Sequence, residues 1–188
     1  ISGISNTGNI FSVYRNDSNY EFTEISLGST LGKVKWQDFN NDNILDLLHV
    51  TSTELKIYKN EGNSLSNEPI TTLLGSGNMS FDVGDMDNDG DEDMITGDEA
   101  GNLHYFRNDG GAGNPADFTI SQPNYKGIDV GESAKPQIID VNRDGLPDLL
   151  IGYNSAHPIY GYTARIALYL NTGSAGAPAF TLSNDDFG

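Results

Sequence analysis

One nine-residue acidic segment occurs three times in this chain, and it constrains the fold more than any other feature. The copies are Asp38-Phe39-Asn40-Asn41-Asp42-Asn43-Ile44-Leu45-Asp46, Asp85-Met86-Asp87-Asn88-Asp89-Gly90-Asp91-Glu92-Asp93 and Asp140-Val141-Asn142-Arg143-Asp144-Gly145-Leu146-Pro147-Asp148. Each places a carboxylate or carboxamide oxygen at its first, third, fifth and ninth positions. Self-similarity at this spacing belongs to chains built from equal supersecondary units, each needing its neighbours to bury its apolar face.

The flanks repeat with the loop. Before it stands a short alternating segment: Val34 and Trp36, Phe81 and Val83, then a weaker version ending at Ile138-Ile139. After it comes an apolar run: Leu47-Leu48-His49-Val50, Met94-Ile95-Thr96, Leu149-Leu150-Ile151. A strand-like stretch ending in asparagine follows (Leu55 to Asn60, Leu103 to Asn108, Ile166 to Asn171), then a Gly-rich turn and a last strand around Ile70, Phe118 or Phe180. Nothing in the unit has helical periodicity. Four short strands per unit, recurring at about 40–50 residues, predict an all-β chain of propeller-type, four-stranded antiparallel blades.

The expected organisation is a partial blade over 1–28, supplying third and fourth strands, then blades over 29–78, 79–127 and 128–184. Residues 185–188 open the next unit. About three and a half blades are then present, as part of a seven- or eight-bladed ring.

Oxygens at loop positions one, three and five converge on a hard cation, joined by a main-chain carbonyl at position seven. Calcium takes six to eight such oxygens. Position six needs a left-handed backbone, which suits Gly90 and Gly145 and is tolerated by Asn43. The expected ligands are Asp38, Asn40, Asp42, Ile44 and Asp46; Asp85, Asp87, Asp89, Asp91 and Asp93; and Asp140, Asn142, Asp144, Leu146 and Asp148, with Ile44, Asp91 and Leu146 acting through their carbonyls. An EF-hand shares the first half of this pattern but requires a glutamate at position twelve. His49, Thr96 and Ile151 stand there instead, between strands rather than helices.

These loops, set between strands of a four-stranded unit, resemble the FG-GAP/VCBS repeat family, whose calcium-loop blades are also found in integrin α-subunit propellers. The resemblance implies a seven- or eight-bladed β-propeller with up to three structural calcium ions here, and Asn43 marks the first loop as the weakest site. It does not fix one function. Members include adhesion and ligand-binding modules, lectins, propeller domains of carbohydrate-active enzymes and cargo of the type IX secretion system.

Composition narrows the partners. With 10 Lys+Arg against 27 Asp+Glu the formal charge is −17, which repels phosphate backbones and anionic lipid. Nucleic acid is therefore not expected as a partner, and no apolar run is long enough to span a bilayer. The absence of cysteine removes disulfides and thiolate chemistry. No nucleophile elbow, phosphate loop or zinc-protease motif is present. His49, His104 and His157 fall in unrelated contexts, and Glu132 and Asp98 are acidic candidates without a partner, so no catalytic residue is assigned. Trp36 is expected to fill an inter-blade core.

The third unit is longer between loop and asparagine, Asp148 to Asn171 against Asp93 to Asn108. The added residues include Tyr153, His157, Tyr160 and Tyr162, expected on a long inter-strand loop able to stack on a sugar or anchor a protein. The expected function is a calcium-stabilised binding or adhesion scaffold of a secreted or cell-surface, bacterial protein, taking a protein or glycan ligand and continuous with further blades. A propeller of a carbohydrate-active enzyme or lectin, and a spacer in type IX secretion cargo, are the alternatives.

Overall fold

The computed structural model describes residues 11–16, 21–28, 32–40, 42–51, 53–66, 70–73, 78–111, 114–118, 120–157 and 161–185. Two compact units are distinguished, residues 1–33 and 34–188. In the first, β1 (Phe11–Asn16) and β2 (Phe22–Gly28) form an antiparallel hairpin, with Val13 against Ile25 and Asn16 against Phe22.

The second unit is built from three four-stranded antiparallel meanders. The first sheet holds β3 (Lys33–Gln37), β4 (Asp46–Val50), β5 (Glu54–Tyr58) and β6 (Ile70–Leu73). The second holds β7 (Asn78–Gly84), β8 (Asp93–Asp98), β9 (Leu103–Arg107) and β10 (Ile120–Gln122). The third holds β11 (Glu132–Ile139), β12 (Asp148–His157), β13 (Gly161–Asn171) and β14 (Phe180–Asn184). Each acidic segment is the connection between the first and second strands of its sheet. The only helical element among the described residues is a 3-10 turn at Tyr125–Gly127, between β10 and β11.

The core lies between sheets rather than inside one. Successive strand residues point to opposite faces, so Met94 and Ile95 of β8, both fully buried, serve two different clusters. Phe39, Leu48, Leu55 and Ile57 of the first sheet meet Val83, Met94, Phe106, Ala116 and Phe118 of the second. Met86, Ile95, Leu103 and Tyr105 of the second meet Tyr125, Ile128, Ala134, Leu149 and Ile151 of the third. Phe118 belongs to this core, but the strand expected around it begins only at Ile120.

Three features differ from expectation. Trp36 is half-buried on β3 and outside both clusters. β11 is a full strand of eight residues although its alternation is faint in sequence. Its inward positions are the modest Ala134, Pro136 and Ile138, and Pro136 is tolerated because β11 is the edge of its sheet. The long third-unit insertion is not a loop for most of its length. It extends β12 and β13 into a hairpin paired from Tyr153–Arg165 out to His157–Gly161, leaving residues 158–160, with Tyr160, outside the described residues.

The first strands of adjacent sheets are joined by polar ties. Asp82 on β7 accepts from Lys35 Nζ of the first sheet at 2.7 Å and from the Ile138 N–H of the third at 2.9 Å. Close approach is permitted by glycine: a Cβ on Gly97 would overlap the carbonyl of Ala134 on the neighbouring sheet, whereas one on Gly152, at the same place in the third sheet, meets nothing closer than 3.8 Å. Gly97→Ala is therefore expected to destabilise the chain by about 1–3 kcal/mol in urea denaturation, and Gly152→Ala by less than about 0.5 kcal/mol. Equal costs would contradict the sheet-to-sheet packing described.

Candidate metal loops and the aspartate–asparagine lock

The three loops share one hydrogen-bond pattern, set by the positions that the sequence repeats. The first aspartate receives main-chain N–H groups from positions five and six: Asp38 from Asp42 and Asn43, Asp85 from Asp89 and Gly90, and Asp140 from Asp144 and Gly145. The fifth receives the N–H of position seven, at 2.8 Å in Asp42, 2.9 Å in Asp89 and 2.8 Å in Asp144. These bonds curl the backbone tightly enough to require left-handed residues. Position six has φ 67° at Asn43, 98° at Gly90 and 84° at Gly145. Asn88 and Arg143, at position four, are left-handed as well.

Position three separates the loops chemically. Asn40 accepts the Asp42 N–H and donates its amide to the Asp42 carboxylate at 3.0 Å. Asn142 treats Asp144 the same way, at 3.0 and 2.8 Å. In the second loop the residue is Asp87, which cannot donate. Asp85, Asp87 and Asp89 each bring a carboxylate oxygen within 4.8 Å of the others, the one such group among the described residues. Asp87 is buried, and its Oδ1 accepts no hydrogen bond of ordinary geometry. Burial, then the neighbouring Asp89 and Asp85 charges, raise its pKa, against the pull of Arg107, whose guanidinium lies 4.0 Å away. A buried carboxylate with one oxygen lacking a donor, among like charges, is costly unless a cation neutralises it. The donor set is all oxygen, so the second loop fits a hard divalent ion.

Position nine is gripped by main-chain donors. Asp46, Asp93 and Asp148 are all buried. Each accepts, at 2.8 Å, the main-chain N–H of the asparagine that ends the third strand: Asn60, Asn108 and Asn171. Each also receives the N–H of loop position two, from Phe39, Met86 and Val141. Asp93 adds the Tyr105 hydroxyl at 2.8 Å. Burial pushes its pKa up to about 7 despite the bonds from Asn108, Tyr105 and Met86. The asparagine side chains complete the lock. Asn108 Oδ1 accepts from Gly110 and Asp117, and Asn171 Oδ1 from Gly173 and Ala179, which shapes the Gly-rich turn. The recurrence of this asparagine after each third strand was the sequence signal for the lock.

The other candidates scatter. Tyr153 is half-buried and donates to the Asp185 carbonyl at 3.1 Å. Tyr162 is 64% exposed, with its hydroxyl 3.3 Å from Glu132 Oε1. The His157 side chain and Tyr160 lie outside the described residues. His49 is buried in β4. His104 pairs with Asp98 at 3.1 Å, and Asn102 donates main-chain and side-chain N–H groups to the same carboxylate. Burial alone would raise the Asp98 pKa, but these bonds outweigh it and hold the group below its ordinary 3.8.

Three four-stranded meanders, each with an aspartate loop between its first two strands and packed face to face, define a propeller-type repeat protein. The FG-GAP-like repeat family matches residues 38–96 and 85–151; the chain belongs to that family. The comparison with curated proteins finds no match. Among solved structures the chain is similar to the Tc holotoxin pore of Photorhabdus luminescens, at 17% identity and a TM-score of 0.48, over 87% of this chain and 8% of that one. No helix among the described residues is long and apolar enough to cross a membrane.

Replacing Asn108 by alanine strips the acceptor from two turn N–H groups, and about 2 kcal/mol of stability is expected to be lost in chemical denaturation. An unchanged midpoint would show that the lock is idle. The Asp98 cluster makes a pH-dependent prediction. Its folded pKa lies below the unfolded value, so the ionised form favours the fold; that stability is complete above the unfolded value and is lost as pH falls through the folded one. Asp98→Asn is expected to be about 1 kcal/mol less stable than wild type at pH 7, with the gap closing below about pH 4. A gap independent of pH would refute the assignment.

Proposed function

We propose that this chain is a calcium-stabilised propeller scaffold of a secreted or cell-surface protein, presenting a surface to a protein or glycan ligand. The observation that carries the calcium reading is Asp87: a buried carboxylate oxygen without a hydrogen bond, between two further carboxylates. The second loop would hold the ion through Asp85, Asp87 and Asp89 with the Asp91 carbonyl. The first and third would hold it through Asp38, Asn40, Asp42 and the Ile44 carbonyl, and through Asp140, Asn142, Asp144 and the Leu146 carbonyl. Asp46, Asp93 and Asp148 close the three sets while keeping their main-chain bonds. The first and third loops satisfy themselves by amide-to-carboxylate bonds, so they are the weaker sites.

A bound divalent ion supplies charge neutralisation. It relieves carboxylate repulsion in a strongly acidic chain and fixes the loops that hold the sheets. An extracellular setting suits this role, because weak calcium sites remain occupied there. For the ligand, the exposed Tyr162 on the projecting β12–β13 hairpin offers a large, rigid contact at low entropic cost.

Calcium at about 100-fold over its Kd is expected to add ~2.7 kcal/mol per occupied site. In 2 mM calcium, about 2- to 20-fold above the Kd of weak sites, the gain is ~0.6–1.8 kcal/mol per site, so the thermal midpoint should rise by a few degrees relative to EDTA. Asp87→Asn, which makes the second loop resemble the other two, is expected to weaken the tightest site at least about tenfold in a calcium titration. Equal melts in calcium and EDTA, with no ion bound, would overturn the reading.

A further inference from the structure

The second and third loops are bonded to one another. Asn88, at position four of the second, donates its side-chain amide to the main-chain carbonyl of Gly145, at position six of the third, at 3.1 Å. The accepting peptide unit is held from its other end as well, because the Leu146 N–H of the same unit donates to Asp144 Oδ1 at 2.8 Å. Asp144 and the Leu146 carbonyl are both expected ligands of the third loop. One peptide plane is thus gripped by the second loop at its oxygen and by a carboxylate of the third at its nitrogen. A further bond runs the other way, from the Gly176 N–H, in the Gly-rich turn of the third sheet, to the Asp87 carbonyl. Asn88 itself stands between Asp87 and Asp89, two of the three converging carboxylates, and its left-handed backbone, φ 56°, belongs to the curl of that loop.

From this contact we infer that Asn88 couples the two loops, so that a cation bound in the second raises the affinity of the third. The coupling rests on the calcium reading above and adds an order of filling to it. In the empty second loop Asp85, Asp87 and Asp89 repel one another at close range. A cation that draws Asp87 and Asp89 together fixes the peptide units on both sides of Asn88, and with them the direction of its amide. The Gly145–Leu146 peptide is then already set when the third loop meets its ion, and less conformational entropy remains to be lost there. The third loop has the greater need of this help, since its Asn142 amide competes with an ion for the Asp144 carboxylate. Such coupling is reciprocal, but the second loop is the tighter site and fills first, so the effect shows at the third.

The glycines at position six report on each loop separately, because Gly90 donates its N–H to Asp85 and Gly145 donates its own to Asp140. Calcium is titrated into the isotope-labelled chain while both amide resonances are followed by NMR. Asn88→Gly removes the amide and keeps a residue at home in the left-handed region; Asn88 is exposed, so no core contact is lost. The expected result is a Gly145 midpoint about fivefold higher in calcium, with the Gly90 midpoint unchanged. Asp87→Asn, which alters only the second loop, is expected to raise the Gly145 midpoint too, and to have no such effect once Asn88→Gly is present. A Gly145 midpoint that either single substitution leaves in place overturns the coupling while the calcium reading stands. No response to calcium at either glycine overturns both.

Discussion

The structure depends on a carboxylate that bonds in two directions at once. Asp46, Asp93 and Asp148 each hold the N–H of their own loop and the N–H of an asparagine one hairpin away. A buried carboxylate is expensive unless its lone pairs are filled by donors. Here main-chain donors fill them, so removing the curl of the loop would leave a buried charge unsatisfied. That linkage fixes where the first strand ends, where the second begins and where the third must stop. The Gly-rich turn and the fourth strand then follow from the asparagine side chain.

Given that lock, the rest of each loop is free to vary in what it does. The amide at Asn40 and Asn142 donates where Asp87 cannot. One loop is thus left with an uncompensated buried oxygen while its two neighbours are internally satisfied. The same backbone therefore yields one loop in which three carboxylates converge and two in which an amide takes the middle place. The difference is a single heteroatom at position three.

The repeat made most of the fold legible. Strand order, sheet number within the described residues and the left-handed sixth position all followed from residues whose chemistry permits few conformations: glycine, asparagine and aspartate in fixed spacing. Less legible were features that depend on contacts across sheets. β11 was faint because Ala134, Pro136 and Ile138 give a weak alternation, and its burial comes from β12 and the second sheet. Trp36 looked like core material by size, yet the clusters are filled by residues of β4, β5, β7, β8, β9, β11 and β12 and of the segments between strands. The Tyr-rich insertion read as a loop because its aromatic, small and polar residues mimic a turn, and only the register from Tyr153 to His157 shows that they continue two strands. The roles at position nine were half visible: the aspartates and the recurring asparagines were both evident, but the bond between them shows only in the fold.

The tie at Asp82 has a mechanical consequence. Its two oxygens grip a lysine on one side and a backbone amide on the other, so the middle sheet cannot shear past either neighbour without breaking a charged contact. Tension applied along the polypeptide would meet these first-strand cross-links in series. In a stack where each element touches only its neighbours, such force is released sheet by sheet, each step bounded by one apolar seam. A carboxylate on the first strand thereby acts as a rivet, setting how large a piece of the molecule yields at a time.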